Sequence, residues 1–127
     1  MTTTIERFET GPRMSRIVRH NGLAYLCGQT AASGVGDVAQ QTQEALARVD
    51  GLLARAGTDK TRILSALIHL RSMSDFRSMN TVWEAWMPIG AAPARTTVGA
   101  ALAAPELPVE VSIVAVANGT VASPAGG

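Results

Sequence analysis

Two side chains stand out in the segment APARTTVGAALAAPELPVEVSIVAVA, residues 92–117, in which nearly everything else is small or apolar. Arg95 opens one strand-like run and Glu110 opens the next, the two joined by a Pro-marked turn. A guanidinium stays charged, so setting it in an apolar segment demands an anionic or strongly accepting partner. Two arrangements meet that demand. In one, Arg95 and Glu110 pair and tie two neighbouring strands together. In the other, the planar guanidinium receives the carboxylate of a ligand, which it matches in bidentate fashion, and Glu110 is free to place a water or move a proton. Charge and spacing leave both open.

Other chemistry is sparse. No Walker A or GxGxxG sequence occurs, and GVGD at 34–37 is too short for a phosphate loop and lacks the following lysine. CxxC and HExxH spacings are absent, and one cysteine with two distant histidines cannot make a structural zinc site. His20 sits beside a turn and His69 near the end of a strand. A lone histidine is more often structural than catalytic, and both are read so. Cys27 alternates with Tyr25 and Gln29 in a strand and reads as an inert, buried thiol. Arg13, Arg16 and Arg19 are spaced by three. Along a strand, odd spacings point to different faces, so they form no single basic patch.

The elements that must position Arg95 and Glu110 follow from periodicity. Residues 1–15 are polar and read as partly extended. Asn21-Gly22 is the pair best able to take the φ > 0 values of a type I′ hairpin turn, with strands over 16–20 and 23–29. Asp37 is a candidate N-cap for a helix in which Val38, Ala45, Leu46, Val49, Leu52, Leu53 and Ala56 recur at helical spacing, closed by Gly57. RILSALIHLR, 62–71, is apolar on both faces, as a strand covered on both sides would be. A second helix lies within 72–87, with Phe76, Met79, Val82, Trp83 and Trp86 on one side, and Pro88 ends it. Trp83 and Trp86 read as packing this helix onto the sheet. The tail, 119–127, is small, polar and Gly/Pro-rich and reads as disordered.

The order β-β-α-β-α-β-β predicts a single α+β domain over 1–127, a mixed sheet with two helices on one face. The other face keeps apolar side chains. In VEVSIVAVA, Val111, Ile113 and Ala115 share one face, while Val114 and Val116 lie opposite with Glu110 and Ser112. A face left apolar and uncovered needs a partner, and a second copy of the chain is the simplest one.

Composition narrows the function classes. A net charge of +1 gives no broad basic surface for nucleic acid or membrane. The single cysteine fits a reducing compartment. With no apolar leader and no apolar run of ~20 residues, the chain is expected to be soluble and cytoplasmic.

YLCGQTA, QTQEALARVDGLLARAG, DFRSMNTVWEAW, PARTTV and VEVSIVAVA follow one another in the order found in the RidA (YjgF) family. From about Gly22 to Val116 the chain resembles its members. The resemblance implies a chorismate-mutase-like fold and a homotrimer with three sites between subunits. It also implies a cofactor-free, metal-independent deaminase. Enamines released by pyridoxal-phosphate enzymes, such as serine and threonine dehydratases, tautomerise to 2-imino acids, which family members hydrolyse to 2-keto acids and ammonia. By the same resemblance Arg95 holds the substrate carboxylate and Glu110 orients the attacking water. Thr97 contacts the ligand through its backbone, and Gly28 lines the site. A second reading within the family is a non-catalytic trimer that binds a small carboxylate or another protein. A third, an RNA-acting protein, carries a label attached to parts of the family. The near-neutral charge and the few aromatics, 4% of residues, argue against it. The chain departs from the family pattern at GPRMS, where many members have GPY with the tyrosine in the site. It departs again at Cys27, Thr97 and Ser112.

Overall fold

The computed structural model describes residues 4–119 and 121. Six strands and two α-helices follow in order: β1 (Glu6–Thr10), β2 (Ser15–His20), β3 (Leu23–Leu26), α1 (Val38–Arg55), β4 (Ile63–Leu70), α2 (Phe76–Trp86), β5 (Ala94–Gly99) and β6 (Val109–Val116). The expected single-domain α+β architecture is present, with one strand more than the sequence suggested. The extended N-terminal stretch contains β1, which pairs with β2. Of the expected C-terminal tail only Gly119 and Val121 are among the described residues.

All six strands form one sheet in the order β1-β2-β3-β6-β4-β5. Pairing is antiparallel except for β4 with β5, which run parallel. A parallel neighbour requires a crossover, and α2 supplies it. This corrects the expectation that the strands of Arg95 and Glu110 are adjacent. The chain leaves β5 on the outside of β4, passes through residues 100–108, and returns on the inside of β4 as β6. Arg71, just past the end of β4, pins this connection. Its guanidinium donates to the carbonyls of Leu107, Leu102 and Ala104 at 3.1, 3.2 and 2.6 Å.

Local sequence explains most boundaries. The Asn21-Gly22 turn takes φ of 50° and 78°, both positive as a type I′ turn demands. Asp37 closes a capping box with Gln40: its Oδ1 accepts from the Gln40 amide at 2.9 Å, and its own amide donates to Gln40 Oε1 at 3.0 Å. At the other end Gly57 takes φ 82°, the left-handed conformation that lets the chain leave a helix. The stretch before α2 is a 3-10 turn over Met73–Asp75, so that helix starts later than 72. A register shift between Ile63 and Ser65 inserts one residue into β4, which puts Leu64 on the surface and blurs the alternation of that strand.

The core lies between the sheet and the helices. Leu46, Val49 and Leu53 of α1 and Met79 of α2 are fully buried, as are Ile68 and Leu70 of β4. β6 alternates without exception: Val109, Val111, Ile113 and Ala115 are buried, and Glu110, Ser112, Val114 and Val116 face the other way. Trp83 packs into this core. Trp86 is partly buried and packs against the same core, donating to Asp50 Oδ2 of α1 at 2.9 Å, with Lys60 Nζ 5.2 Å from its ring centroid. The face without helices shows Tyr25, Leu67 and Val98 to solvent. Among the described residues no helix is long and apolar enough to cross a membrane.

Candidate active site

Glu110 sits near the start of β6, on the open face. Its backbone is held between β3 and β4, where it pairs in register with His69. Its side chain is bounded on both sides. Towards the β3 side lies Gly28: a Cβ there would stand 2.7 Å from both Cδ and Oε2 of Glu110. The close approach requires glycine at 28. Towards the β4 side, Oε1 is 4.0 Å from His69 Nδ1. That nitrogen is buried and hydrogen-bonds to nothing among the described residues.

Gly28 is fixed by its neighbour. Gln29 forms a two-way backbone bridge with Val111, at 2.8 and 2.9 Å, immediately beyond Glu110. Its buried side-chain amide donates to the Cys27 and Gly28 carbonyls and to Cys27 Sγ. The Gly-Gln pair therefore locks the end of β3 against the start of β6. Cys27 is half-buried, and burial pushes its thiol above the ordinary value while Arg16 pulls the other way. A thiol kept protonated is a poor nucleophile, in keeping with the inert reading.

Arg95 lies elsewhere. It is opposite Ala66 in the β4–β5 ladder, and Ala66 is buried under the helices. Ladder partners share a face, so Arg95 points to the helix side at the sheet edge. Its guanidinium carbon is 5.4 Å from the Trp83 ring centroid and 5.9 Å from that of Phe76. Both rings attract a cation through their π faces. Burial lowers the Arg95 pKa, and Glu84 acts against that shift. No carboxylate comes within 4.0 Å of it among the described residues. Thr97, opposite Ile68, faces the same side, and its Oγ1 is buried without a partner.

The four residues singled out in the sequence thus form two half-sites. Gly28 and Glu110 meet on the open face; Arg95 and Thr97 share the helix-side edge. Within one chain the halves are separated by about 10 Å across the strands and about 10 Å along them, on opposite faces. An Arg95–Glu110 ion pair inside one chain is therefore not formed. One residue of α2 joins His69 in having escaped sequence reasoning. Among the described residues the buried Oδ1 of Asn80 has no partner, and Asn80 falls on the α2 stripe of Phe76 and Trp83, four residues after one and three before the other. A polar residue in that apolar stripe was the available signal.

A groove of about 440 Å³ crosses the open face, lined by Tyr25, Ser65, Leu67, Thr96 and Ser112 and reaching Arg95 at the β5 edge. Neither Glu110 nor Gly28 lines it. Its walls are mostly apolar surface, as in the core of a protein–protein contact.

Comparison with known proteins places this geometry in context. The family model described as Endoribonuclease L-PSP matches residues 4–117. A RutC family protein of Haemophilus ducreyi is 40% identical over 114 residues, 90% of this chain and 97% of that one. The RutC family protein YoaB of Escherichia coli is 40% identical over 112 residues, 88% of this chain and 97% of its own. Among solved structures, a YjgF-family protein of Neisseria meningitidis superposes with a TM-score of 0.87 at 44% identity, covering 93% of this chain and 98% of that one.

Proposed function

This chain belongs to the Endoribonuclease L-PSP family, that of the YjgF and RutC proteins, and from that premise we propose that it is a deaminase. It hydrolyses 2-imino acids and the enamines that tautomerise to them, giving 2-keto acids and ammonia. The observation that carries the reading is the arginine without a carboxylate partner, half-buried between two aromatic rings, in a chain that also presents a carboxylate over a glycine.

Arg95 takes the substrate carboxylate as a fork of two parallel N–H bonds. Thr97 adds contacts beside it. The imine enters protonated on nitrogen; Glu110 accepts a proton from water as the water oxygen bonds to the imine carbon, and the C=N π pair moves to the nitrogen, which becomes a neutral amine. The result is a tetrahedral carbinolamine. Glu110 returns the proton to nitrogen, the C–N bond breaks, and the hydroxyl oxygen forms the new C=O as its proton leaves to Glu110 and on to the departing ammonia. The imine carbon is already electrophilic, so catalysis is mostly placement, which can supply up to ~7–11 kcal/mol in ideal geometry. The residues that act need no cofactor for this sequence.

Arg95 and Glu110 face opposite sides of one sheet, so a second copy of the chain completes each site, with Arg95 from one and Glu110 from its neighbour. The apolar open face, with Tyr25, Leu67 and Val98 exposed, supports such an association. A closed ring of three copies then holds three sites. The ribonuclease in the family description is a property of the family's name; the +1 net charge of this chain supports the small-molecule reading instead.

The test generates 2-imino acids from a panel of amino acids with an amino-acid oxidase and catalase, and traps surviving imine with semicarbazide. Wild type is expected to suppress semicarbazone formation. Arg95→Ala loses this, and Glu110→Gln loses turnover while still binding a 2-keto acid. No suppression by wild type across the panel, with 2-keto acid binding retained, would instead make the protein a carboxylate-binding member without catalysis.

A further inference from the structure

His69 has no place in the reaction as written above, yet it stands directly beside Glu110. The two are direct partners across the β4–β6 ladder, so the backbone fixes their side chains on one face and side by side. Nδ1 of His69 is buried and makes no hydrogen bond among the described residues, an arrangement proteins rarely leave unrelieved. A carboxylate acceptor, Oε1 of Glu110, stands 4.0 Å away. Arg71, two residues further on, is no rival, because its guanidinium is spent on the carbonyls of Leu102, Ala104 and Leu107. On its far side the Glu110 carboxylate meets Gly28, where Oε2 and Cδ occupy the place a Cβ would take. The carboxylate therefore lies across its own strand, one oxygen towards the imidazole and the other over a glycine.

We infer that His69 is a positioning residue for Glu110. The imidazole donates Nδ1–H to Oε1 when the carboxylate swings about 1 Å inward to hydrogen-bond distance. Oε2 is thereby left over Gly28 as the oxygen that receives the proton of the attacking water. Hydrogen bonding by a third group is how a catalytic base is commonly held in its working orientation. The neutral ring must then carry its proton on Nδ1 rather than Nε2. This reverses the structural role given to His69 from sequence. The inference rests on the deaminase reading, and one of its two tests does not.

The first test is kinetic, on the assembled protein with the imine that wild type turns over best. His69→Phe keeps the ring and removes the donor. His69→Asn keeps a nitrogen donor close to the place of Nδ1. Loss of orientation lowers kcat in His69→Phe by roughly tenfold, well short of the ~10²–10⁴ of a general base itself, with KM unchanged because Arg95 still binds the carboxylate. His69→Asn recovers most of that loss. A His69→Phe enzyme within twofold of wild type, or a folded His69→Asn enzyme no better than His69→Phe, overturns the proposal.

The second test reads the ring nitrogens by 15N NMR and needs no turnover. Wild type is expected to show the proton of the neutral His69 ring on Nδ1, and Glu110→Ala to lose that preference. An Nδ1 without its proton in wild type, or a ring unaffected by Glu110→Ala, overturns the proposal even where His69→Phe fails to fold. If wild type hydrolyses no imine, the deaminase reading falls, and the NMR result alone decides whether His69 orients Glu110.

Discussion

At position 28 the difference between hydrogen and methyl is a difference in where a carboxylate can sit. A Cβ there would meet Oε2 of Glu110 at 2.7 Å, and the side chain can answer only by rotating away. Gly28 has no positive φ to protect, so Gly28→Ala carries no backbone strain. The expected result is a chain that melts within a few degrees of wild type but whose kcat falls about 10²-fold, the cost of a misplacement near 1 Å. Unchanged turnover in Gly28→Ala would detach Glu110 from the chemistry. Arg95 and Glu110 could be picked out of the sequence because a charge in an apolar strand is conspicuous. Asn80 and His69 could not. One polar residue in a helical stripe looks like a solvated position, and a lone histidine looks like any other, until the orphaned Oδ1 and Nδ1 are seen.

At the level of elements, what depends on neighbours in sequence was readable and what depends on neighbours in space was not. The Asp37 N-cap, the apolar stripe of α1 and the Asn21-Gly22 turn are local, and they formed where expected. The partner of β5 is not local. Two apolar runs separated by a Pro-containing segment read as a hairpin, yet β6 enters between β3 and β4. The start of β1 was hidden by its polar sequence, Glu-Arg-Phe-Glu-Thr, in which only Phe8 is even partly buried. The connection from β5 to β6 carries the geometry of both half-sites, and Arg71 holds it. Arg71→Ala should destabilise the fold by about 1–2 kcal/mol, since its three carbonyl bonds are exposed and net hydrogen-bond contributions are modest. Urea unfolding gives the first quantity. Hydrogen exchange gives the second: amides in 100–108 should lose protection while those of α1 do not. Equal loss in both segments would mean that the arginine supports the whole fold rather than the connection.

For the whole molecule the proposal of shared sites has a numerical consequence. Sedimentation should find three copies, and a monodisperse monomer would end the two-chain site. Arg95→Ala and Glu110→Gln chains, each inactive alone, should regain activity when coassembled. In a random one-to-one mixture, about a quarter of sites join an intact Glu110 to an intact Arg95, so about a quarter of wild-type activity returns. A site within one chain would return none. Sequence pointed towards association through the apolar residues left on the open face, but the number of copies came from resemblance.

The central place of β6 has a bearing on how the molecule is made. Among the described strands it comes last in chain order, and it joins β1-β2-β3 to β4-β5. Until it arrives, the nascent chain holds two partial sheets that share no ladder, each with an open edge facing the other. Synthesis runs from the N-terminus, so these halves must wait, and long-range pairings of this kind form slowly. Glu110 travels on that same strand. The arrival of β6 therefore closes the sheet and delivers the carboxylate together, and a chain that stopped short of β6 would carry Arg95 with no counterpart to offer a neighbour.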